Sequence, residues 1–257
     1  MPLQRCNTLW IGTLGAIERA CLRSVVRQGH PVTLYAYREL DGVPEGVELR
    51  DAAEILPESA IIRHRRGSVA LFANRFRYEL QRRAKGIWID TDQYLLAPIP
   101  AGEGHLFGWQ EPGYLAIGVL RLPASSPLLP ELLALFDHPV VPPWLPWRSW
   151  IAAQLRRAAT GRVSLATLPW GSAGPNAVTA LARKHGLLDQ AVPRETFYPV
   201  HYEEAGWLRD PRIALEAVIA PESVGIHLWN EKIRAWKDEP APPGSFLARL
   251  QAEGAPG

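Results

Sequence analysis

Cysteine is nearly absent: Cys6 and Cys21 are the only 2 in 257 residues. Two thiols cannot build a disulfide framework or a cysteine-held metal cluster, so both read as small apolar side chains in a reducing compartment. An excess of one charge is lacking too. A formal net charge of +2 leaves no basic field to hold nucleic acid, and none is expected as a partner. No apolar run reaches a bilayer span, and Met1 to Asn7 is short and polar, unlike a secretory leader, so the cytoplasm is the expected location. Neither G-x-x-x-x-G-K-[ST] nor G-x-G-x-x-G occurs, which excludes a phosphate-loop enzyme and a Rossmann dehydrogenase. No internal repeat is visible.

What is present is ordinary globular composition, 47% hydrophobic and 21% charged, enough for one large core. Asn7 to Gly12 reads as a strand. Ile17, Cys21, Ser24, Val25 and Gln28 then follow at helical spacing up to Gly29, and Val32 to Tyr37 is rich in β-branched and aromatic residues. A strand-helix-strand opening of this kind builds a parallel sheet. Glu48 to Arg50 reads as a short strand, and Ser68 to Arg83 as a helix with Ser68 as N-cap and Gly86 as its stop. Asn74 and Arg77 share one face of that helix.

Further strands are expected over 104–109, 114–122 and 223–228, and helices over 128–136 and 176–185. The tract from Val140 to Trp150 interleaves Pro142, Pro143 and Pro146 with Trp144, Trp147 and Trp150, and reads as an extended lead-in to a helix ending near Ala159. These tryptophans either pack the loop on the core or line a membrane-facing rim that admits a lipid-linked acceptor. Residues 237–257 begin as a proline-rich tail, with Phe246 to Ala252 as a short docked helix or a loose segment.

The chemistry centres on Ile87-Trp88-Ile89, an apolar run typical of a strand buried on both faces, which ends in Asp90-Thr91-Asp92. Residues two apart in an extended segment point to one side, so two carboxylates converge, and a divalent cation is the usual compensation for their repulsion. The other reading of the triplet is a solvated strand-end turn. A phosphohydrolase of the haloacid dehalogenase type would want Thr or Val two residues beyond the second Asp, where Tyr94 stands.

The surrounding sequence resembles a known family. Phe72-Ala73-Asn74-Arg75-Phe76-Arg77-Tyr78 and Lys85-Gly86-Ile87-Trp88-Ile89-Asp90-Thr91-Asp92 are similar to the glycosyltransferase family defined by a sugar-binding region containing the DXD motif. That group includes α-1,4-galactosyltransferases and initiating α-1,6-mannosyltransferases. Leu9-Trp10-Ile11-Gly12 resembles its first strand, Gly174-Pro175-Asn176-Ala177-Val178-Thr179 its Gly-Pro-x-x-x-Thr helix start, Phe197-Tyr198-Pro199 its Phe-Tyr-Pro segment, and His227-Leu228-Trp229-Asn230 its C-terminal His-x-Trp motif. Three positions depart: Asn74 stands for the usual Asp, Lys85 for the first of two glycines, and Ile117 for a common asparagine.

The resemblance implies a GT-A nucleotide-diphospho-sugar transferase fold over residues 1–236, an α/β architecture with a mixed, mainly parallel sheet flanked by helices. It implies a retaining hexosyl transfer from a nucleotide sugar, with a UDP-sugar as the expected donor, to a glycan or glycolipid acceptor, as in polysaccharide biosynthesis. By the same token Asp90, Asp92 and His227 would hold Mn2+ (or Mg2+), while Trp10, Ile11, Asn74, Arg77, Asp90 and Thr91 would contact the donor. Gln110 and Glu111, polar residues at a strand end, are the catalytic candidates. The alternative on the same fold is a nucleotide-sugar or glycan-binding module weak or inactive in transfer. Peripheral membrane contact is the one partner hint beyond the substrates, and oligomeric state is not encoded in any motif.

Overall fold

The computed structural model describes residues 3–64 and 67–255. Met1 and Pro2, from the polar N-terminus, and the last two residues of the C-terminal tail lie outside them. The chain opens with β1 (Cys6–Leu9), α1 (Ala16–Arg27), β2 (Val32–Ala36) and β3 (Val47–Asp51), and continues through α2 (Ala70–Arg82) into β4 (Ile87–Ile89) and β5 (Gln93–Leu95). Then come β6 (Leu106–Glu111), β7 (Tyr114–Arg121), α3 (Leu128–Asp137), α4 (Trp147–Thr160) and α5 (Pro175–Lys184). The last elements are α6 (Arg194–Phe197), β8 (Gly225–His227), α7 (Asn230–Ile233) and α8 (Phe246–Glu253).

Six strands form one sheet in the order β3-β2-β1-β4-β7-β6. β1 pairs in parallel with β2 and β4, β2 pairs in parallel with β3, and β7 runs antiparallel to both β4 and β6. This is the mixed, mainly parallel α/β sheet flanked by helices that the sequence implied. Alternation along β4 explains its depth in the sheet. Ile87 and Ile89 face Leu22 and Val25 of α1, whereas Trp88 joins Phe72 and Phe76 of α2, Leu132 of α3 and Leu181 of α5 on the opposite face.

Gly86 sets β4 against β1. Its φ is 109°, and a Cβ there would stand 2.4 Å from the Arg5 carbonyl oxygen, so only glycine lets the two backbones meet.

Three local readings are corrected. β1 stops at Leu9, so Trp10, Ile11 and Gly12 lie past the strand rather than in it. The α2 N-cap position is Val69, and Ser68 Oγ accepts the Ala70 N–H at 3.1 Å from one residue further out. α4 begins at Trp147, so Trp147 and Trp150 are helical rather than extended: past Pro146 no ring restrains the backbone from turning helical.

β5 was not anticipated. It forms a separate two-stranded ribbon with β8, in the register Gln93↔His227. Beneath that ribbon Tyr94 and Ile226 pack with Ile17 and Cys21 of α1 and with Phe246, Leu247 and Leu250 of α8. Both cysteines are buried and free, and burial pushes the Cys6 thiol up to about 12. No helix among the described residues is long and apolar enough to cross a membrane.

Candidate functional site

Asp90 stands at the carboxyl end of β4, tied to β7 by its N–H, which donates to the Gly118 carbonyl at 2.7 Å. The Gln93 N–H returns to the Asp90 carbonyl at 3.0 Å, closing a tight turn that leads at once into β5. Since β5 pairs with β8, the turn delivers Asp92 beside His227. The imidazole Nε2 lies 3.4 Å from Asp92 Oδ1 and 3.7 Å from Asp90 Oδ2. Among the described residues, these three form the group whose ligand-type atoms all lie within 4.8 Å of one another.

Each carboxylate has one oxygen committed and one turned inward. Asp90 Oδ1 accepts the Trp88 indole N–H at 2.7 Å and meets the Arg77 guanidinium at 3.1 Å. Asp92 Oδ2 accepts the Asn230 backbone N–H at 2.7 Å. Trp229 makes that last contact possible by adopting a left-handed backbone, φ 59°, which swings the chain back over Asp92. Asp90 Oδ2, Asp92 Oδ1 and His227 Nε2 are left facing one another. Carboxylates fixed through their outer oxygens are the arrangement that holds ligands in place for a cation.

The electrostatics agree. Burial acts to raise the pKa of Asp90, but the Arg77 guanidinium, His227 and the Trp88 N–H outweigh it and hold the carboxyl below its usual range. For His227, burial disfavours the charged ring, yet Asp92 and Asp90 prevail and its pKa is raised. Nδ1 accepts the Trp229 N–H at 3.3 Å, so the proton of a neutral ring sits on Nε2, between the carboxylates, where a bound cation would replace it.

Gly118 bounds the space between these atoms. A Cβ built on Gly118 would lie 3.1 Å from His227 Nε2 and 3.3 Å from Asp90 Oδ2, filling the cradle. Two carboxylate oxygens and one imidazole form a donor set that could hold a divalent metal ion.

The group opens into a cavity of about 600 Å3, whose walls include Asn74, Arg77, Gln110, Glu111, Trp170 and Trp229. The cavity thus brings together seven of the ten residues expected to act. Thr91, Trp10 and Ile11 stand outside its lining. Thr91 is buried within the turn, and because Asp90 to Asp92 turn rather than run extended, the strand alternation expected for the triplet does not apply. Trp10 donates its indole N–H to the Thr13 carbonyl at 2.9 Å and lies under the Lys237 ammonium.

Arg77 is committed inward. Besides Asp90 it reaches the Ile117 carbonyl at 2.5 Å and stacks 4.6 Å from the centre of the Trp88 ring. Glu111, half-exposed, has His201 Nε2 at 3.6 Å.

Gly118, Trp88, Asn230 and Tyr198 were not assigned to the site from sequence. A glycine inside the strand pattern 114–122 is a signal of close backbone approach and would have found Gly118. Tyr198 packs its ring 5.7 Å from His227 and accepts the Val119 N–H at 3.0 Å, while Gln93 donates to the Phe197 carbonyl at 3.1 Å. The Phe-Tyr-Pro segment therefore buttresses both sides of the ribbon.

Fold and site together define a mainly parallel α/β protein with an Asp-x-Asp and histidine group, able to bind a divalent metal, at the carboxyl end of a central strand. No family model matches the chain, and no curated protein matches it. Among solved structures it is similar to the PaToxG glycosyltransferase, at 12% identity and a TM-score of 0.46, over 73% of this chain and 72% of that one.

Proposed function

We propose that the chain is a metal-dependent glycosyltransferase that moves a hexose from a nucleotide sugar, a UDP-sugar in the first instance, to a glycan or glycolipid acceptor with retention of configuration. The observation that carries this reading is the convergence of Asp90 Oδ2, Asp92 Oδ1 and His227 Nε2 at the wall of an aromatic-lined cavity of about 600 Å3. A cavity of that size suits a nucleotide-sized ligand. It is reinforced by the resemblance of the surrounding motifs to the DXD-containing family.

On this reading Asp90, Asp92 and His227 hold Mn2+ or Mg2+. Held there, a divalent cation would supply Lewis-acid neutralisation of the charge that develops on a leaving diphosphate. Arg77 keeps Asp90 ionised and fixed. Asn74, on the adjacent turn of α2, offers its amide to the sugar hydroxyls, and Thr91, between the two aspartates, is assigned to donor contact by the motif resemblance. Trp10 and Ile11, outside the cavity lining, are assigned to the nucleotide by the motif resemblance alone. Gln110 and Glu111, across the cavity, are the polar groups available to the reacting face of the sugar. Residues 1–236 are taken as the transferase unit, with 237–257 as its C-terminal brace.

The test is nucleotide release from a panel of UDP- and GDP-sugars with and without manganese, alongside Asp92→Ala. Manganese-dependent release that Asp92→Ala abolishes, with the circular dichroism spectrum unchanged, is the expected result. Binding without release would favour the module that holds a nucleotide sugar without transferring it. A variant that still bound the donor with unaltered manganese dependence would sink the assignment.

A further inference from the structure

α4 is built the wrong way round for a helix that merely covers a core. It buries only Ala153. Large apolar side chains on it face solvent: Trp147 is 68% exposed, Leu155 67% and Ile151 44%. At spacings of four residues, these three form one continuous stripe pointing to solvent. Arginines flank the stripe. Arg148 lies over the Trp147 ring at 5.1 Å, Arg156 and Arg157 follow one turn beyond Ala153, and all three are exposed, as is Arg162. From His138 to Leu188 the sequence contains no aspartate or glutamate.

An outward apolar stripe with aromatic weight, edged by arginine and free of acid, is the pattern of a helix that lies in the headgroup region of an anionic bilayer. A second copy of the chain fits less well. A twofold contact through this face would bring one arginine row against another, with no carboxylate in the segment to separate them.

The segment that leads into α4 is also tied to the cavity wall. The Trp144 indole, just before α4, donates to the Ser172 carbonyl at 2.8 Å, and Ser172 and the 57% exposed Trp170 both line the cavity.

We propose that the exposed face of α4, from Trp147 to Leu155 with its flanking arginines, docks the protein on an anionic lipid surface, with the cavity rim at Trp170 beside the membrane. The docking face stands independently of the transferase reading. If both hold, the acceptor is presented from the bilayer.

Flotation of the full chain with phosphatidylcholine vesicles, with and without about 30% phosphatidylserine, tests this directly. The wild type is expected to float with the anionic vesicles alone and to be released at about 0.5 M salt. Trp147→Ser/Leu155→Ser and Arg156→Glu/Arg157→Glu should each lower binding at least roughly tenfold while leaving the melting temperature in place. Absence of flotation overturns the proposal, and so does flotation that neither pair of substitutions weakens. A concentration-dependent dimer in light scattering, abolished by Trp147→Ser/Leu155→Ser with no vesicle binding, would assign the face to a second copy instead.

Discussion

Gly118 faces His227 so closely that a Cβ built on the glycine would stand 2.9 Å from the imidazole Cδ2. β7 therefore acts as the floor on which the ring rests, and its lack of a side chain at this position sets the distance from His227 to the two aspartates.

Gly118→Ala should push the ring off that floor with little effect on folding, because the residue is in ordinary strand conformation. Manganese affinity, measured by titration calorimetry, is expected to fall roughly tenfold or more. An unchanged affinity would mean that the imidazole is not a ligand.

Arg77→Met removes the guanidinium that neutralises Asp90 and satisfies the Ile117 carbonyl. The Asp90 side chain is 26% exposed, which softens the loss, so about 2 kcal/mol of stability should disappear in urea denaturation. Arg77→Lys should recover only part of it, since one ammonium cannot span both partners and stack on Trp88.

Glu18 is fully buried in α1, paired with Lys237 and 3.4 Å from the Asn230 amide, while its Oε2 has no hydrogen-bond partner among the described residues. Lys237→Met should leave that carboxylate uncompensated and cost about 3 kcal/mol. Adding Glu18→Gln should restore most of the loss. Unfolding of the two single variants and the double variant measures the coupling, and strict additivity would refute it.

Glu131 of α3 receives Lys184 and His185 from the end of α5, each at 2.6 Å, and those two hydrogen bonds hold its carboxyl below the usual range. A depressed folded pKa means the stabilisation is complete above the unfolded value and fades as pH falls through the folded one. Glu131 is 36% exposed, so Glu131→Gln should cost no more than about 1 kcal/mol at neutral pH. That difference should vanish at acid pH, below the folded pKa. A gap that persisted there would point to packing rather than charge.

Sequence pattern revealed much of the scaffold, for reasons visible at single positions. Ile87, Trp88 and Ile89 alternate between two cores, so an unbroken apolar run identified the central strand. But β4 ends at Ile89, and Asp90 and Asp92 converge through the turn closed by Gln93, not through the extended segment that the spacing suggested. The His227 encounter was reached only through a family motif. β5 and β8 have three residues each, too few to display a period, and their pairing joins positions far apart in the chain. Arg77 was legible as a cavity residue, but its commitment to Asp90 depends on the depth of Trp88, which no spacing rule supplies. Trp10 and Ile11 were expected inside the first strand, but β1 ends at Leu9, and beyond it the indole turns back to Thr13.

The ribbon has a consequence for how the molecule fails. Every contact between His227 and the aspartates depends on three facing pairs, of which Gln93↔His227 is the outermost, and a slip of one residue would present Ile226 to the acidic turn instead. Heating that frays these few rungs would scatter the ligand atoms while β1 to β4 remain hydrogen-bonded, so the capacity to hold a cation should be lost at a temperature below that at which the large sheet melts.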